Sequence, residues 1–125
     1  MVRKTVLAVE DEPDMLEIIR VNLEQAGYNV VPAADGVQAY NALEGSKPDL
    51  VVLDLSMPNM SGFRFARLVR RDARWEKLPL IVVTAFAFEE VEDLANEKID
   101  GFITKPFDPA DLVSKVEYVL SRNEV

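Results

Sequence analysis

Five short runs of consecutive apolar residues recur along this chain, and they constrain its fold more than any other feature. The runs cover residues 6–9, 30–31, 50–53, 80–83 and 102–103. Continuous rather than alternating apolar character is typical of parallel strands that are covered on both faces of a sheet. Pro32 follows the second run and cannot donate a hydrogen bond to a neighbouring strand, so this strand is expected at a sheet edge.

Helical patterns separate these runs. The first pattern carries Met15, Ile18, Ile19 and Leu23 on one face, and Gly27 is its expected stop. Further helices are predicted to begin at Asp35-Gly36, at Ser61, around residues 89–97 and at Asp108-Pro109. Strands that alternate with helices in this way predict a doubly wound α/β sandwich. We expect one domain that covers residues 1–125.

Composition narrows the chemistry that this domain can perform. The chain has 125 residues, no cysteine, no histidine and a formal net charge of −8. This excludes disulfides, thiol nucleophiles, zinc–thiolate sites and imidazole catalysis. Any metal ion would be a hard cation held by oxygen. The acidic balance argues against direct nucleic-acid binding. No apolar span has the length of a signal peptide or a membrane helix, so a cytoplasmic location is expected.

Polar side chains follow four of the five apolar runs. Glu10 and Asp11 follow the first, Asp54 the third, Thr84 the fourth, and Lys105 comes shortly after the fifth. Each has an ordinary explanation as a cap, turn or loop residue when it is taken alone. Right-handed crossovers, however, bring the carboxyl ends of all the strands to one edge of the sheet, where ligands bind in such folds. We therefore expect these side chains to form one site.

The charges of this predicted site indicate a bound cation. Crowded carboxylates repel one another, and one of them should have a raised pKa unless positive charge offsets them. Lys105 supplies one such charge, and Mg²⁺, which typically binds one or two carboxylates and retains waters, would supply the rest. A carboxylate placed beside Mg²⁺, Lys105 and Thr84 is equipped to accept a phosphoryl group.

Four segments together resemble the receiver domain of response regulators in two-component signalling. They read VLAVEDEP (6–13), LVVLDLSMPNMSG (50–62), LIVVTA (80–85) and GFITKPF (101–107). The resemblance extends from Thr5 to about Leu120. It implies a flavodoxin-like (βα)5 sandwich with a five-stranded parallel sheet in the order 2-1-3-4-5.

The resemblance also implies the roles of the predicted site residues. Asp54 matches the phosphorylated aspartate and a Mg²⁺ ligand, Asp11 the direct Mg²⁺ ligand, and Glu10 the acidic residue that acts through water. Ser56 matches the position whose backbone carbonyl completes the metal ligands. Thr84 and Lys105 match the hydroxyl and the ammonium that contact the phosphoryl group.

Further positions match the parts of the family that respond to phosphorylation. Phe102 occupies the aromatic switch position, which turns inward as Thr84 engages the phosphoryl group. Pro106 matches a residue whose preceding peptide bond is commonly cis, and Pro58 and Gly62 match the turn after the phosphorylated aspartate. The implied partners are a histidine kinase or phosphotransfer protein as donor, and a downstream protein or fused output domain.

Three local features modify what the resemblance implies. Phe86, with Ser56, occupies a position that tunes hydrolysis of the acyl phosphate, and its bulk predicts slow autodephosphorylation. Lys105 lies 21 positions after Thr84, one fewer than is common in the family. Residues 97–101 also stand where the family usually has Ala-Gly before the fifth strand. The fourth helix or its exit is therefore expected to be shortened or reshaped. A basic group on and after the third helix predicts either a solvated face or a docking surface for an acidic partner; it consists of Arg64, Arg67, Arg70, Arg71, Arg74 and Lys77.

Three functions remain open from the sequence. The first is a phosphorylation-controlled switch that changes the surface of its fourth helix, fifth strand and fifth helix, as a monomer or a phosphorylation-dependent dimer. It would catalyse only its own phosphorylation and dephosphorylation. The second is a Mg²⁺-dependent phosphatase with an aspartyl-phosphate intermediate, although Ser56 stands where haloacid-dehalogenase-like enzymes carry a second Asp. The third is a receiver used only as an interaction module.

Overall fold

A computed structural model describes residues 3–55, 61–85 and 98–122 of the chain. Five parallel strands form one sheet in the order β2-β1-β3-β4-β5. They are β1 (Thr5–Val9), β2 (Asn29–Ala33), β3 (Leu50–Asp54), β4 (Leu80–Thr84) and β5 (Gly101–Thr104). Four described helices flank them: α1 (Pro13–Gln25), α2 (Gly36–Ser46), α3 (Gly62–Arg71) and α4 (Pro109–Arg122). The predicted sheet order is confirmed.

The predicted helix around residues 89–97 lies outside the described residues, so the helix predicted at Asp108-Pro109 is α4 here. Its start is confirmed, since the Ala110 amide donates to Asp108 Oδ1 at 2.9 Å. The other predicted starts are confirmed as well. Asp35 accepts a hydrogen bond from the Gln38 amide at 2.8 Å, and Ser61 accepts one from the Arg64 amide at 3.3 Å. Gly27 follows α1 with a φ of 102°, which suits glycine.

The core consists of two apolar layers, one on each face of the sheet. Leu7, Leu53 and Val82 belong to the layer that includes buried residues of α2 and α3. Their neighbours along the same strands, such as Ala8 and Val52, belong to the layer that includes α1 and α4. Because successive side chains of a strand point to opposite faces, coverage on both faces requires continuous apolar runs. This is the physical reason for the pattern in the sequence.

The two edges of the sheet are formed by β2 and β5. β2 runs through Pro32 to Ala33, so the proline lies within the edge strand rather than just after it. Pro32 is exposed, and its Cα is paired in register with Ala8 of β1. The edge position predicted from Pro32 is confirmed. At the other edge, the Lys105–Pro106 peptide bond that follows β5 is cis, as predicted.

One arginine of α3 differs from the others that the sequence groups with it. Arg64, Arg67 and Arg71 are exposed, whereas the Arg70 side chain is only 8% exposed. Its guanidinium donates to the carbonyl oxygens of Lys98 and Leu78, both at 2.7 Å, and to Asp100 Oδ2 at 3.2 Å. Arg70 therefore joins α3 to the segments that enter β4 and β5, and it is not part of a solvated or docking face.

None of the helices in the described part of the chain is both long enough and apolar enough to cross a membrane.

Candidate functional site

The predicted site residues meet at the carboxyl edge of the sheet. Glu10 directly follows β1, Asp54 and Thr84 are the last residues of β3 and β4, and Lys105 directly follows β5. The strand register places these residues at the same edge of the sheet. Asp54 is paired with Val83, the residue before Thr84, and Thr84 is paired with Thr104, the residue before Lys105. The Lys105 amide also donates to the Thr84 carbonyl at 2.7 Å. Four separate strands therefore position this site, and the hydrogen bonding of the sheet fixes the side chains relative to one another.

The Lys105 ammonium lies between two carboxylates. Its Nζ is 2.7 Å from Glu10 Oε1 and 3.5 Å from Asp54 Oδ2. Glu10 is 1% exposed, and Asp54 is 6% exposed, whereas Asp11 is exposed to solvent. The Asp11 amide donates to Glu10 Oε2 at 3.0 Å and orients the Glu10 carboxylate. Lys105 is thus held most closely by Glu10, a pairing that the sequence did not indicate.

Burial and crowding shift the pKa of Glu10. The pKa rises from 4.5 to about 7, first because burial disfavours the charged form and then because Glu10 shares a hydrogen bond with Asp54. The nearby Lys105 opposes this rise but does not cancel it. For Lys105 itself, burial acts to lower the pKa, but the hydrogen bond to Glu10 and the charge of Asp54 outweigh it and raise the pKa. The site therefore carries more negative charge than one lysine neutralises.

These residues fit a divalent cation. Glu10, Asp11 and Asp54 each offer one carboxylate oxygen, and the three oxygens lie within 4.8 Å of one another. Oxygen ligands of this kind suit Mg²⁺, and a cation there would offset the repulsion that raises the Glu10 pKa. The structure thus brings together three of the four residues that the sequence predicted as metal ligands, and the fourth is Ser56.

The other predicted positions lie either outside the described residues or in the strands beside the carboxylates. Ser56, Pro58 and Phe86 lie outside the described residues, so their roles stay predictions. Phe102 is half-buried in β5 and packs against the apolar layer that includes α3. Thr84 is fully buried at the end of β4.

Comparisons with known proteins agree with this fold. The family model described as the response regulator receiver domain matches residues 6–117. The chain belongs to this family and is a receiver domain of the kind found in two-component response regulators.

The curated relatives are longer proteins. The chain is 41% identical over 123 residues to the phosphate regulon transcriptional regulatory protein PhoB of Pseudomonas aeruginosa, covering 98% of this chain and 54% of that protein. It is 34% identical over 126 residues to the alkaline phosphatase synthesis transcriptional regulatory protein PhoP of Bacillus subtilis, covering 98% of this chain and 50% of that protein. The chain therefore spans about half the length of the curated relatives it matches.

Solved structures include receiver domains of similar size. A CheY-like response regulator receiver domain protein from Methanospirillum hungatei is 27% identical with a TM-score of 0.91, and the match covers 98% of each chain. The receiver domain of a signal transduction histidine kinase from Syntrophus aciditrophicus is 30% identical with a TM-score of 0.90, covering 97% of this chain and 92% of that one. These similarities support the flavodoxin-like architecture.

The raised pKa of Glu10 predicts that, without metal, the free energy of unfolding falls as the pH rises from about 5 to about 7. The folded protein binds this proton more tightly than the unfolded chain, whose glutamate titrates near 4.5, so deprotonation at higher pH removes stability. Mg²⁺ should then raise the melting temperature more at about pH 8 than at about pH 5, since it binds ionised carboxylates.

Thermal unfolding in EDTA and in Mg²⁺ across this pH range measures both effects. Glu10→Gln is the control, because it removes the titrating proton and leaves the rest of the site in place. The slope between about pH 5 and about pH 7 should flatten in this variant. The same slope in both proteins would contradict the assignment.

Proposed function

We propose that this receiver domain is a phosphorylation-controlled switch in which Asp54 accepts a phosphoryl group from a histidine kinase or a histidine phosphotransfer protein. The observation that carries the proposal is the meeting of a buried Asp54 with two further carboxylates and an ammonium group at one edge of the sheet. A carboxylate nucleophile needs positive charge close to the oxygens of the incoming phosphoryl group, and this arrangement supplies it.

The chemistry follows from the placement of the side chains. An Asp54 oxygen attacks phosphorus and forms a new P–O bond, while the P–N bond of the donor phosphohistidine breaks and its imidazole leaves. Lys105, already 3.5 Å from Asp54 Oδ2, pairs with the oxygens of the transferred group. Thr84 presents its hydroxyl from the end of the adjacent strand. In dephosphorylation, an in-line water molecule attacks phosphorus, the bond between phosphorus and the Asp54 oxygen breaks, and inorganic phosphate leaves.

Glu10, Asp11 and Asp54 are the residues that would hold Mg²⁺, with the Ser56 backbone carbonyl as a further ligand implied by the family. When bound, the ion would neutralise negative charge on the phosphoryl oxygens. The domain on this proposal catalyses only its own phosphorylation and dephosphorylation, and it has no separate substrate.

The output is proposed to be a change of the surface around β5 and α4. Thr84 engages the phosphoryl group, and the Phe102 ring turns inward from its half-buried position into the interior of the domain. Because Phe102 has no hydroxyl, packing alone holds it there. The changed surface then controls a downstream protein or a fused output domain, through a monomer or a phosphorylation-dependent dimer, without direct contact between this domain and nucleic acid. A phosphorelay of this kind draws on ATP, so the proposed location is the cytoplasm.

Incubation with Mg²⁺ and acetyl phosphate, followed by intact mass measurement, tests the proposal. We expect one phosphoryl adduct on the wild-type chain, and no adduct in EDTA or on the Asp54→Asn variant. Asp111→Asn is a matched control, because Asp111 lies in the first turn of α4 and is exposed. It should accept the phosphoryl group like the wild type. An adduct that persists on Asp54→Asn would contradict the assignment.

The same assay separates the alternative functions. Continuous turnover of added phosphomonoesters would favour the phosphatase, and the lack of any adduct would favour an interaction module. Retention of all three carboxylates together with Thr84 and Lys105 at one edge favours the switch over the module.

A further inference from the structure

A second charged feature lies at the opposite edge of the sheet, where the strands begin. A cavity of about 380 Å³ opens there, and we call it the basal pocket. Its lining includes Lys4, Asp49, Lys77, Lys98, Asp100 and Leu120. The first five precede β1, β3, β4 and β5, and Leu120 lies near the end of α4. Because all strands of the sheet are parallel, their starts converge at this edge, at the far end of the strands from the phosphorylation site.

The two carboxylates of the basal pocket already have internal partners. Asp49 Oδ2 accepts a hydrogen bond from the Thr5 amide at 2.7 Å. Asp100 Oδ2 accepts hydrogen bonds from the Leu80 amide at 2.9 Å and from Arg70 at 3.2 Å, and Arg122 lies 3.6 Å from Asp100 Oδ1. The negative charge of Asp100 is therefore balanced by two guanidinium groups, and both carboxylates serve to fix the backbone around the pocket.

Two of the three lysines stand in a different situation. Lys77 and Lys98 are exposed, and their side chains make no ion pair or hydrogen bond with residues of the described ranges. The backbone of Lys98 is nevertheless anchored, since its carbonyl accepts a hydrogen bond from Arg70 Nε at 2.7 Å. Lys4 adds a third ammonium group from a third segment of the chain. Lys77 and Lys98 thus place two ammonium groups that have no partner among the described residues beside one small cavity, in a chain whose net charge is −8.

We propose that the basal pocket binds a compact anion that carries two or more phosphate groups. A lysine ammonium group is a compact point charge that suits phosphate oxygens, and the pair formed by Lys77 and Lys98 calls for a ligand with more than one negative charge in a small volume. The size of the cavity falls at the lower end of the range of about 300–1,000 Å³ that small-molecule sites occupy. The net negative charge of the chain disfavours general anion binding, so binding depends on a local concentration of positive charge such as this one.

Titration of the 125-residue chain with tripolyphosphate in metal-free buffer tests the proposal, with calorimetry for affinity and amide chemical shifts for location. We expect saturable binding, shifts concentrated at Lys77, Lys98 and Asp100, and a dissociation constant that rises with salt concentration. The double variant Lys77→Gln/Lys98→Gln should weaken binding by about tenfold or more, which corresponds to about 1.4 kcal/mol. Both residues are exposed, so the variant should keep its melting temperature.

A second double variant, Arg64→Gln/Arg67→Gln, makes the same change in net charge at exposed positions in the first two turns of α3, away from the basal pocket, and should leave the affinity unchanged. A parallel titration with ATP separates the possible sources of the ligand: equal affinities indicate recognition of the phosphate chain alone, and tighter binding of ATP indicates a nucleotide. Three results would overturn the proposal: no saturable binding, equal weakening by the two double variants, or shifts centred on Lys105 instead. Binding of an acidic peptide in the absence of polyphosphate binding would overturn it too.

Discussion

Replacing Gly62 with alanine should lower the free energy of unfolding by about 3 kcal/mol, the upper end of the usual cost of overpacking. A Cβ atom at this position would lie 2.2 Å from the Asp54 carbonyl oxygen and 2.7 Å from the Leu55 Cα. Both are backbone atoms, so no flexible side chain can move aside. The Gly62 amide also donates to the Leu55 carbonyl at 3.1 Å, which holds the start of α3 against the end of β3. Relief of the clash must therefore displace the backbone that carries Asp54.

Gly45→Ala is the matched control for this prediction. Gly45 lies in α2, and an added Cβ would meet nothing within 4 Å. Alanine there should stabilise the protein by about 0.4–1 kcal/mol, because it is the better helix former and restricts the unfolded chain. Urea unfolding of both variants measures the contrast, and phosphoryl uptake from acetyl phosphate should fall only in Gly62→Ala. Equal stabilisation by both substitutions would show that α3 can retreat from β3 at little cost.

Replacing Arg70 with methionine should lower the free energy of unfolding by about 3–5 kcal/mol, the cost of breaking a buried ion pair by removing one partner. The substitution keeps much of the apolar stem but removes the donors to Lys98, Leu78 and Asp100. The Asp100 side chain is 10% exposed and would lose its least exposed cationic partner. Chemical denaturation measures the loss.

Arg74→Met is the corresponding control, a few residues further along the chain. Arg74 pairs with Asp72 at 2.8 Å and Glu44 at 3.4 Å, but its side chain is 54% exposed, so its loss should cost no more than about 1 kcal/mol. Adding Asp100→Asn to Arg70→Met should recover part of the stability, because the uncompensated charge is gone. Equal costs for the two methionine variants would mean that the Arg70 contacts contribute no more than a surface pair.

Much of the fold follows from the sequence because burial on both faces leaves a clear pattern. The continuous apolar runs predicted five parallel strands, and Pro32 predicted that β2 lies at an edge of the sheet. The helix starts at Asp35, Ser61 and Asp108 were predictable because a side-chain acceptor at that position satisfies backbone amides that the helix leaves unpaired. The strand order itself came from the family resemblance, since apolar pattern alone does not distinguish one order of parallel strands from another.

The candidate site was predictable to the level of which residues meet, but not how they pair. Position after a strand was enough to bring Glu10, Asp54 and Lys105 together, because a parallel sheet aligns its carboxyl ends. The closer contact of Lys105 with Glu10 than with Asp54 depends on side-chain geometry that no spacing encodes. Arg70 was misplaced for a related reason: its charge and its place in the sequence grouped it with exposed arginines, whereas its burial results from contacts with Leu78, Lys98 and Asp100, which lie beyond α3 in the sequence.

The edge strands limit how this domain can associate with other proteins. Pro32 within β2 interrupts the row of amide donors along one edge, and β5 at the other edge is a short strand. A strand from another protein could not form a regular series of backbone hydrogen bonds with β2. At the other edge, it could pair with only the four residues of β5. Partners are therefore expected to recognise helix faces and loops, where side chains confer specificity, and the domain is protected against the edge-to-edge stacking that leads to aggregation.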